Sequence, residues 1–208
     1  MLEIARYPYT MKKLIFFFFL SLQISAAAQH KSGSDNFNTK IREEEGDLNT
    51  DGLIDQVIVS MDTTDARSPL KLQVFFGQPG KKLKLMVSTT KLILPQFPNG
   101  KTFSGLQIPI FEIENGKLRM ISETGHGQSL HVFKYQNKHF ELIYFSKVYW
   151  DGNITFVETD FDLVKGIKTL TTDIQGSDKS SKKTKSKVLI RPLPKIQELV
   201  AYEKKPYY

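Results

Sequence analysis

The chain has 208 residues, of which 40% are hydrophobic and 12% aromatic, and its formal net charge is +7 at pH 7. This length and composition predict one compact domain with a sizeable apolar core. Because the sequence contains no cysteine, disulfide bonds, thiolate nucleophiles and cysteine-ligated metals are excluded.

The first 28 residues have the three parts of a secretory signal peptide. Lys12 and Lys13 precede the apolar run 14–22, and small residues follow it up to Ala28. The run is shorter than the roughly 20 residues that a membrane span needs. We therefore predict a cleaved signal peptide at 1–28, with an uncleaved apolar anchor as the alternative.

The segment around this signal adds three expectations. Translation is expected to start at Met11, because the ten residues before it carry no signal character. Without a cysteine for lipid attachment, the product is predicted to be periplasmic or secreted, with no membrane span after cleavage. The polar residues 29–38 are predicted to be a disordered leader, and residues 39–205 to be a single β-rich domain.

An acidic loop follows at the start of this domain. Asp47, Asn49 and Asp51 occupy its first, third and fifth positions, and Asp55 occupies the ninth. Oxygen ligands at alternating positions are what Ca²⁺ requires, and Gly52 permits the turn that brings the main-chain carbonyl of Leu53 toward the ion. We predict a structural calcium site here.

Two alternatives bear on this loop. An EF-hand would place a bidentate Glu at the twelfth position, which is Ile58, so the loop is expected to connect strands rather than helices. Asp, Asn and Gly also favour turns without any ion, so an ordinary Asx-rich turn is the competing interpretation.

Alternating apolar and polar residues dominate the rest of the domain. Strands are predicted as a succession of hairpins, and Asn115-Gly116 is the strongest turn signal among them. Pro109 is expected at a strand start or on an edge. The predicted fold is mainly β, an antiparallel meander forming a sandwich or a half-open barrel, with a short helix near 195–202.

A Lys- and Ser-rich segment lies at 176–187. It contains no aromatic residue that could stack on a base, so we predict a solvated loop and no nucleic-acid binding.

Catalytic signals are weak. Glu123, His126 and His131 lie within nine residues but match no zinc or acid–base motif, and Asp160 and Asp162 flank Phe161 as the outward positions of a strand would. We predict no catalytic residues, with a hydrolase whose site is hidden as the least favoured alternative. Tyr149 and Trp150 precede Asp151-Gly152 and favour either a hydrophobic plug or a carbohydrate-binding surface.

The stretch 46–59 resembles the acidic loops of FG-GAP/VCBS-type repeats and integrin α-chain propellers. The wider chain resembles small exported proteins of Gram-negative bacteria that carry one such loop, through Phe75-Phe76, residues 133–136 and Pro192-Leu193-Pro194. It departs from their pattern at 125–129. The resemblance implies a place in the cell envelope but not a role, because that group of proteins has no assigned activity. We expect an unidentified protein or an envelope polysaccharide as the partner.

Overall fold

A computed structural model describes residues 36–100, 107–124, 127–150, 155–174, 176 and 181–201. The predicted signal peptide and most of the predicted leader lie outside these residues. All described residues belong to one compact unit. None of the helices within these ranges is long and apolar enough to cross a membrane.

The described chain is mainly β-structure, as the sequence predicted. Its strands are β1 (Thr39–Gly46), β2 (Asp55–Met61), β3 (Leu70–Gln78), β4 (Lys82–Thr89), β5 (Ile110–Glu114), β6 (Lys117–Thr124), β7 (Gly127–Gln136), β8 (His139–Trp150), β9 (Thr155–Asp162), β10 (Ile167–Ile174) and β11 (Lys182–Lys187).

The strands form two antiparallel sheets. The first has the order β1-β2-β3-β4, and the second has the order β11-β10-β9-β8-β7-β6-β5. Within each sheet the strands pair in sequence order, which confirms the meander, and the chain passes from one sheet to the other between β4 and β5. The arrangement is sandwich-like and is not closed into a barrel.

One apolar core draws on both sheets. Val57, Leu72 and Val74 of the first sheet and Phe133 and Phe145 of the second are at most 1% exposed. These side chains lie at alternating strand positions, which is the pattern that the sequence shows. The burial of each of these side chains stabilises the folded protein by roughly 1.5–3 kcal/mol.

The Asn-Gly turn has the predicted backbone. Asn115 and Gly116 connect β5 to β6 with φ angles of 51° and 68°, so both residues of the turn have positive φ, as a tight hairpin requires. Pro109 immediately precedes β5, an edge strand of the seven-stranded sheet. Its missing amide proton therefore removes no bond from a central ladder.

Two local predictions differ from the structure. Residues 182–187 were expected to belong to a loop but form β11, which pairs with β10 and is exposed along its whole length. The expected C-terminal helix is a single 3₁₀ turn, Ile196–Glu198. Lys195 and Leu199 on either side of it have extended backbone angles, so the helix cannot be prolonged in either direction.

Candidate metal site

The acidic loop connects β1 to β2 at one end of the four-stranded sheet. Gly46 and Asp55 are the last cross-strand partners before it, so residues 47–54 form the loop of a β-hairpin. This confirms that the loop lies between strands. Thr50 and Gly52 have φ angles of 61° and 81°, and these two positive values turn the chain back on itself.

Asp47 binds the opposite side of the loop. Its Oδ1 accepts a hydrogen bond from the amide of Asp51 at 3.2 Å, and its Oδ2 accepts one from the amide of Gly52 at 2.9 Å. The first position of the loop is thereby fastened to the fifth and sixth. Both main-chain donors are satisfied within the loop.

Asn49 and Asp51 are also hydrogen-bonded within the loop. Asn49 Oδ1 accepts from the amide of Asp51 at 3.0 Å, and Asn49 Nδ2 donates to Asp51 Oδ2 at 2.9 Å. Asp51 Oδ1 accepts from the amide of Leu53 at 2.8 Å. These Asx-type bonds hold the oxygens at positions 1, 3 and 5 in fixed orientations.

Asp55 is the anchor beneath the loop and has no solvent exposure. Its Oδ2 accepts from the amide of Leu48 at 2.7 Å, and its Oδ1 accepts from the amide of Gly77 in β3 at 2.9 Å. Burial raises the pKa of Asp55, the two amide bonds act in the opposite direction, and the charges of Asp51 and Asp47 raise it further. The three carboxylates therefore lie close enough to repel one another.

No lysine or arginine of the described residues forms an ion pair with Asp47, Asp51 or Asp55. The described residues also contain no group of three or more His, Cys, Asp or Glu side chains arranged so that it could hold a metal ion. The predicted set includes ligands of other kinds, because the amide oxygen of Asn49 and the carbonyl of Leu53 belong to it.

The oxygen atoms of the loop are suitable ligands for a hard cation. A carboxylate has about four lone-pair sites, and each oxygen of Asp47 and Asp55 accepts one amide. A second lone pair on each oxygen is left for a cation. The residues present fit Ca²⁺ by donor type. The predicted ligands Asp47, Asn49, Asp51 and Asp55 all accept hydrogen bonds from amides of the loop, although Asp55 itself is the first residue of β2.

Three residues that the sequence argument did not connect with the loop support it. Leu48 is 1% exposed and anchors it in the core. Gly77 donates to Asp55, and Gly116 lies where an added Cβ would be 2.9 Å from Cγ2 of Thr50. Gly116 belongs to the β5–β6 turn, so the second sheet touches the loop. A glycine at the end of the mainly apolar run 72–76 is the sequence signal for Gly77.

The aromatic residues weighed for carbohydrate binding lie at the end of β8 and the start of β9. Trp150 and Phe156 are cross-strand partners, their ring centroids are 6.3 Å apart, and their planes differ by 18°. Each is 39% exposed. They form a stacked pair at the end of two inner strands. Asp151 and Gly152 lie outside the described residues.

The residues weighed for catalysis are separated. His131 is 4% exposed, and burial lowers its pKa to about 4. The strand register places Glu123 on the opposite face of β6–β7 from His131, and His126 lies outside the described residues. Asp160 accepts a hydrogen bond from the hydroxyl of Tyr144, while Asp162 pairs with Lys165. The two aspartates lie on one outward face, as predicted.

Comparison of the chain with protein-family models, with curated proteins and with solved structures found no match.

Proposed function

We propose that this chain is an exported β-sandwich domain that binds Ca²⁺ in loop 47–55 and serves as a binding or structural module of a bacterial cell envelope. The calcium ion is structural. The ligands are the side chains of Asp47, Asn49, Asp51 and Asp55 and the carbonyl of Leu53, and water completes the six to eight oxygens that the ion takes.

The observation that carries this proposal is the shared position of three acids. Burial is the main cause of the raised pKa of Asp55, and the charges of Asp51 and Asp47 raise it further. No basic side chain of the described residues pairs with any of the three acids. A divalent cation would remove this repulsion. An ion on Asp55 would lie one residue from β3, because Asp55 already accepts a hydrogen bond from the amide of Gly77.

Preorganisation is the second argument. The five side-chain-to-amide bonds of Asp47, Asn49, Asp51 and Asp55 to residues of the loop fix it before any ion arrives. Ordering the loop on binding therefore costs little conformational entropy. Extracellular calcium modules bind at about 10⁻⁴ to 10⁻³ M, which suits a periplasmic or secreted protein.

An Asx-rich turn without an ion makes the same hydrogen bonds, so the deciding experiment is direct. The full chain, stripped with chelator, is titrated with Ca²⁺ and separately with Mg²⁺ by isothermal calorimetry. One saturable Ca²⁺ site with weaker Mg²⁺ binding is expected. Absence of heat up to about 10 mM Ca²⁺ would overturn the proposal, because that exceeds the expected range ten-fold.

The stacked pair Trp150–Phe156 favours a second candidate, a carbohydrate-binding module. Two nearly parallel rings, each 39% exposed, offer a flat apolar surface of the kind on which a sugar ring stacks. Tyr149 is 41% exposed but precedes Trp150 in β8, so it points to the opposite face and is not part of this surface. Binding of the protein to a glycan array tests this candidate.

A further inference from the structure

A cavity of about 150 Å³ lies on the core-facing side of strands β6, β7 and β8. Its floor includes Met120 and Ser122 of β6, Ser129 and His131 of β7, and Lys147 of β8. A cavity of this volume holds a molecule about the size of benzene. It shares no lining residue with the acidic loop.

The polar groups of the floor form one row. Ser122 is the cross-strand partner of Ser129, and Ser129 is the partner of Lys147. Directly opposed residues of neighbouring strands have Cβ atoms about 4.5–5.5 Å apart and point to the same face. Two hydroxyls and one ammonium group are thus presented side by side.

The next row of the floor is apolar apart from one imidazole. It comprises Met120, His131 and Phe145, and His131 is the cross-strand partner of both others. Met120 is 3% exposed and Phe145 is fully buried. Because burial lowers the pKa of His131 to about 4, its ring is neutral at pH 7 and adds no charge.

The opposite wall is apolar and fixed. Leu92, Ile93 and Leu94 line it together with Ala201. The amide of Ala201 donates to the carbonyl of Lys91 at 3.1 Å, which holds the C-terminal segment against the segment that follows β4. The cavity therefore has an apolar body with polar groups on one side.

Lys147 provides the charge of the site. No carboxylate of the described residues forms an ion pair with it, and its Nζ lies 5.9 Å from the ring centroid of Tyr149. Glu123 also borders the cavity, but its side chain is exposed and the register directs it to the opposite face. Among the described lining residues, Lys147 is the one lysine or arginine.

We propose that this cavity binds a small monocarboxylate, with the carboxylate on Lys147 and the hydroxyls of Ser122 and Ser129, and the apolar body against Met120, Phe145 and Leu92. A carboxylate accepts charge-assisted hydrogen bonds from an ammonium group and neutral ones from hydroxyls. One cation matches one negative charge, which favours a monocarboxylate over a phosphate. The volume limits the body to about one six-membered ring.

The test compares benzoate with its neutral analogue benzamide, by NMR titration of the ¹⁵N-labelled full chain. Benzoate is expected to bind with a dissociation constant on the order of 1 mM, with amide shifts centred on Ser122, Ser129 and His131. Benzamide is expected to bind at least about ten-fold more weakly, because it lacks the charge-assisted bond. Equal affinity for the two probes, or no saturable shift with benzoate up to about 20 mM, would overturn the proposal.

Variants of Lys147 test whether this residue binds the carboxylate of benzoate. Lys147→Met is expected to weaken benzoate binding about ten-fold or more, whereas Lys147→Arg keeps a cation and is expected to stay within about three-fold of the native affinity. Lys185→Met, on the fully exposed β11, removes a charge elsewhere and is the matched control. A loss as large in Lys185→Met as in Lys147→Met would contradict a site at Lys147. The native comparison of the two probes decides the proposal even where a variant fails to fold.

Discussion

Gly77 and Asp55 are joined by a contact that only glycine permits. The amide of Gly77 donates to Asp55 Oδ1 at 2.9 Å, and a Cβ added at Gly77 would lie 2.4 Å from the carbonyl oxygen of Ile54. The φ of Gly77 is not positive, so the requirement for glycine here comes from space and not from backbone conformation. The acidic loop is held against β3 at this point.

Gly77→Ala is therefore expected to destabilise the protein by roughly 1–3 kcal/mol, because β3 and the end of the loop must separate to admit the methyl group. Urea unfolding of the native protein and the variant measures the difference. Lys84→Ala, at an exposed position of β4, is the control and is expected to stay within about 0.5 kcal/mol of the native value. Equal stability of Gly77→Ala and the native protein would show that β3 and the loop move apart at no cost.

Calcium is expected to raise the melting temperature through Asp51. At a calcium concentration ten times the dissociation constant the ion stabilises by about 1.4 kcal/mol, which corresponds to about 3–6 °C for a domain of this size. Asp51→Asn keeps the side-chain shape but removes a charge, so it is expected to abolish most of this rise. Melting curves with calcium and with chelator measure both proteins.

Asp173→Asn is the matched control for Asp51→Asn, because Asp173 is an exposed aspartate of β10, in the other sheet. It is expected to retain the full calcium effect. An identical calcium response in Asp51→Asn and Asp173→Asn would place the binding outside loop 47–55.

The parts of the fold that local sequence determines were predicted. The β5–β6 hairpin follows from Asn115-Gly116, where both residues tolerate positive φ. The strands β2 and β3 were predicted from alternating apolar and polar residues, and the apolar ones lie on a buried face of the sheet. In both cases the deciding information lies within about ten residues of chain.

The missed parts depend on distant partners. β11 has no buried face, so its lysines and hydroxyls carry no alternation, and its backbone bonds to β10 alone make it a strand. Its lysines are typical of a protected sheet edge. The second role of Asp55 depends on Gly77, 22 residues away. A metal-loop pattern shows that Asp55 can bind a cation but not that it also binds β3.

Trp150→Ala is expected to abolish glycan binding if the stacked pair is a sugar platform, because it removes the larger of the two rings. Trp150 is 39% exposed, so its loss should leave the fold intact, which a melting curve checks. Val148→Ala is the control, since Val148 lies on the same face of β8 and is 41% exposed. Loss of binding in both variants, or in neither, would contradict a specific role of Trp150.

His131 is expected to make the protein less stable as the pH falls from about 6.5 to about 4. Burial lowers its pKa to about 4 in the folded state, whereas the unfolded chain has the ordinary value near 6.5. Between these values the unfolded state binds a proton that the folded state does not, so stability decreases as acid is added. The whole effect is roughly 3 kcal/mol, because one pKa unit corresponds to about 1.4 kcal/mol.

Urea unfolding at pH 7.0, 5.5 and 4.5, compared between the native protein and His131→Gln, isolates this contribution. Hydrogen bonds from Thr64 and Arg67 lower the pKa values of Asp62 and Asp65, respectively. The stability that these two carboxylates contribute to the folded protein is therefore also lost in acid. They are present in both proteins, so their effect cancels in the difference. The native protein should lose stability faster than His131→Gln between pH 6.5 and 4, since glutamine takes up no proton there. Parallel pH curves for the two proteins would mean that the imidazole of His131 reaches water in the folded state and titrates near its ordinary pKa.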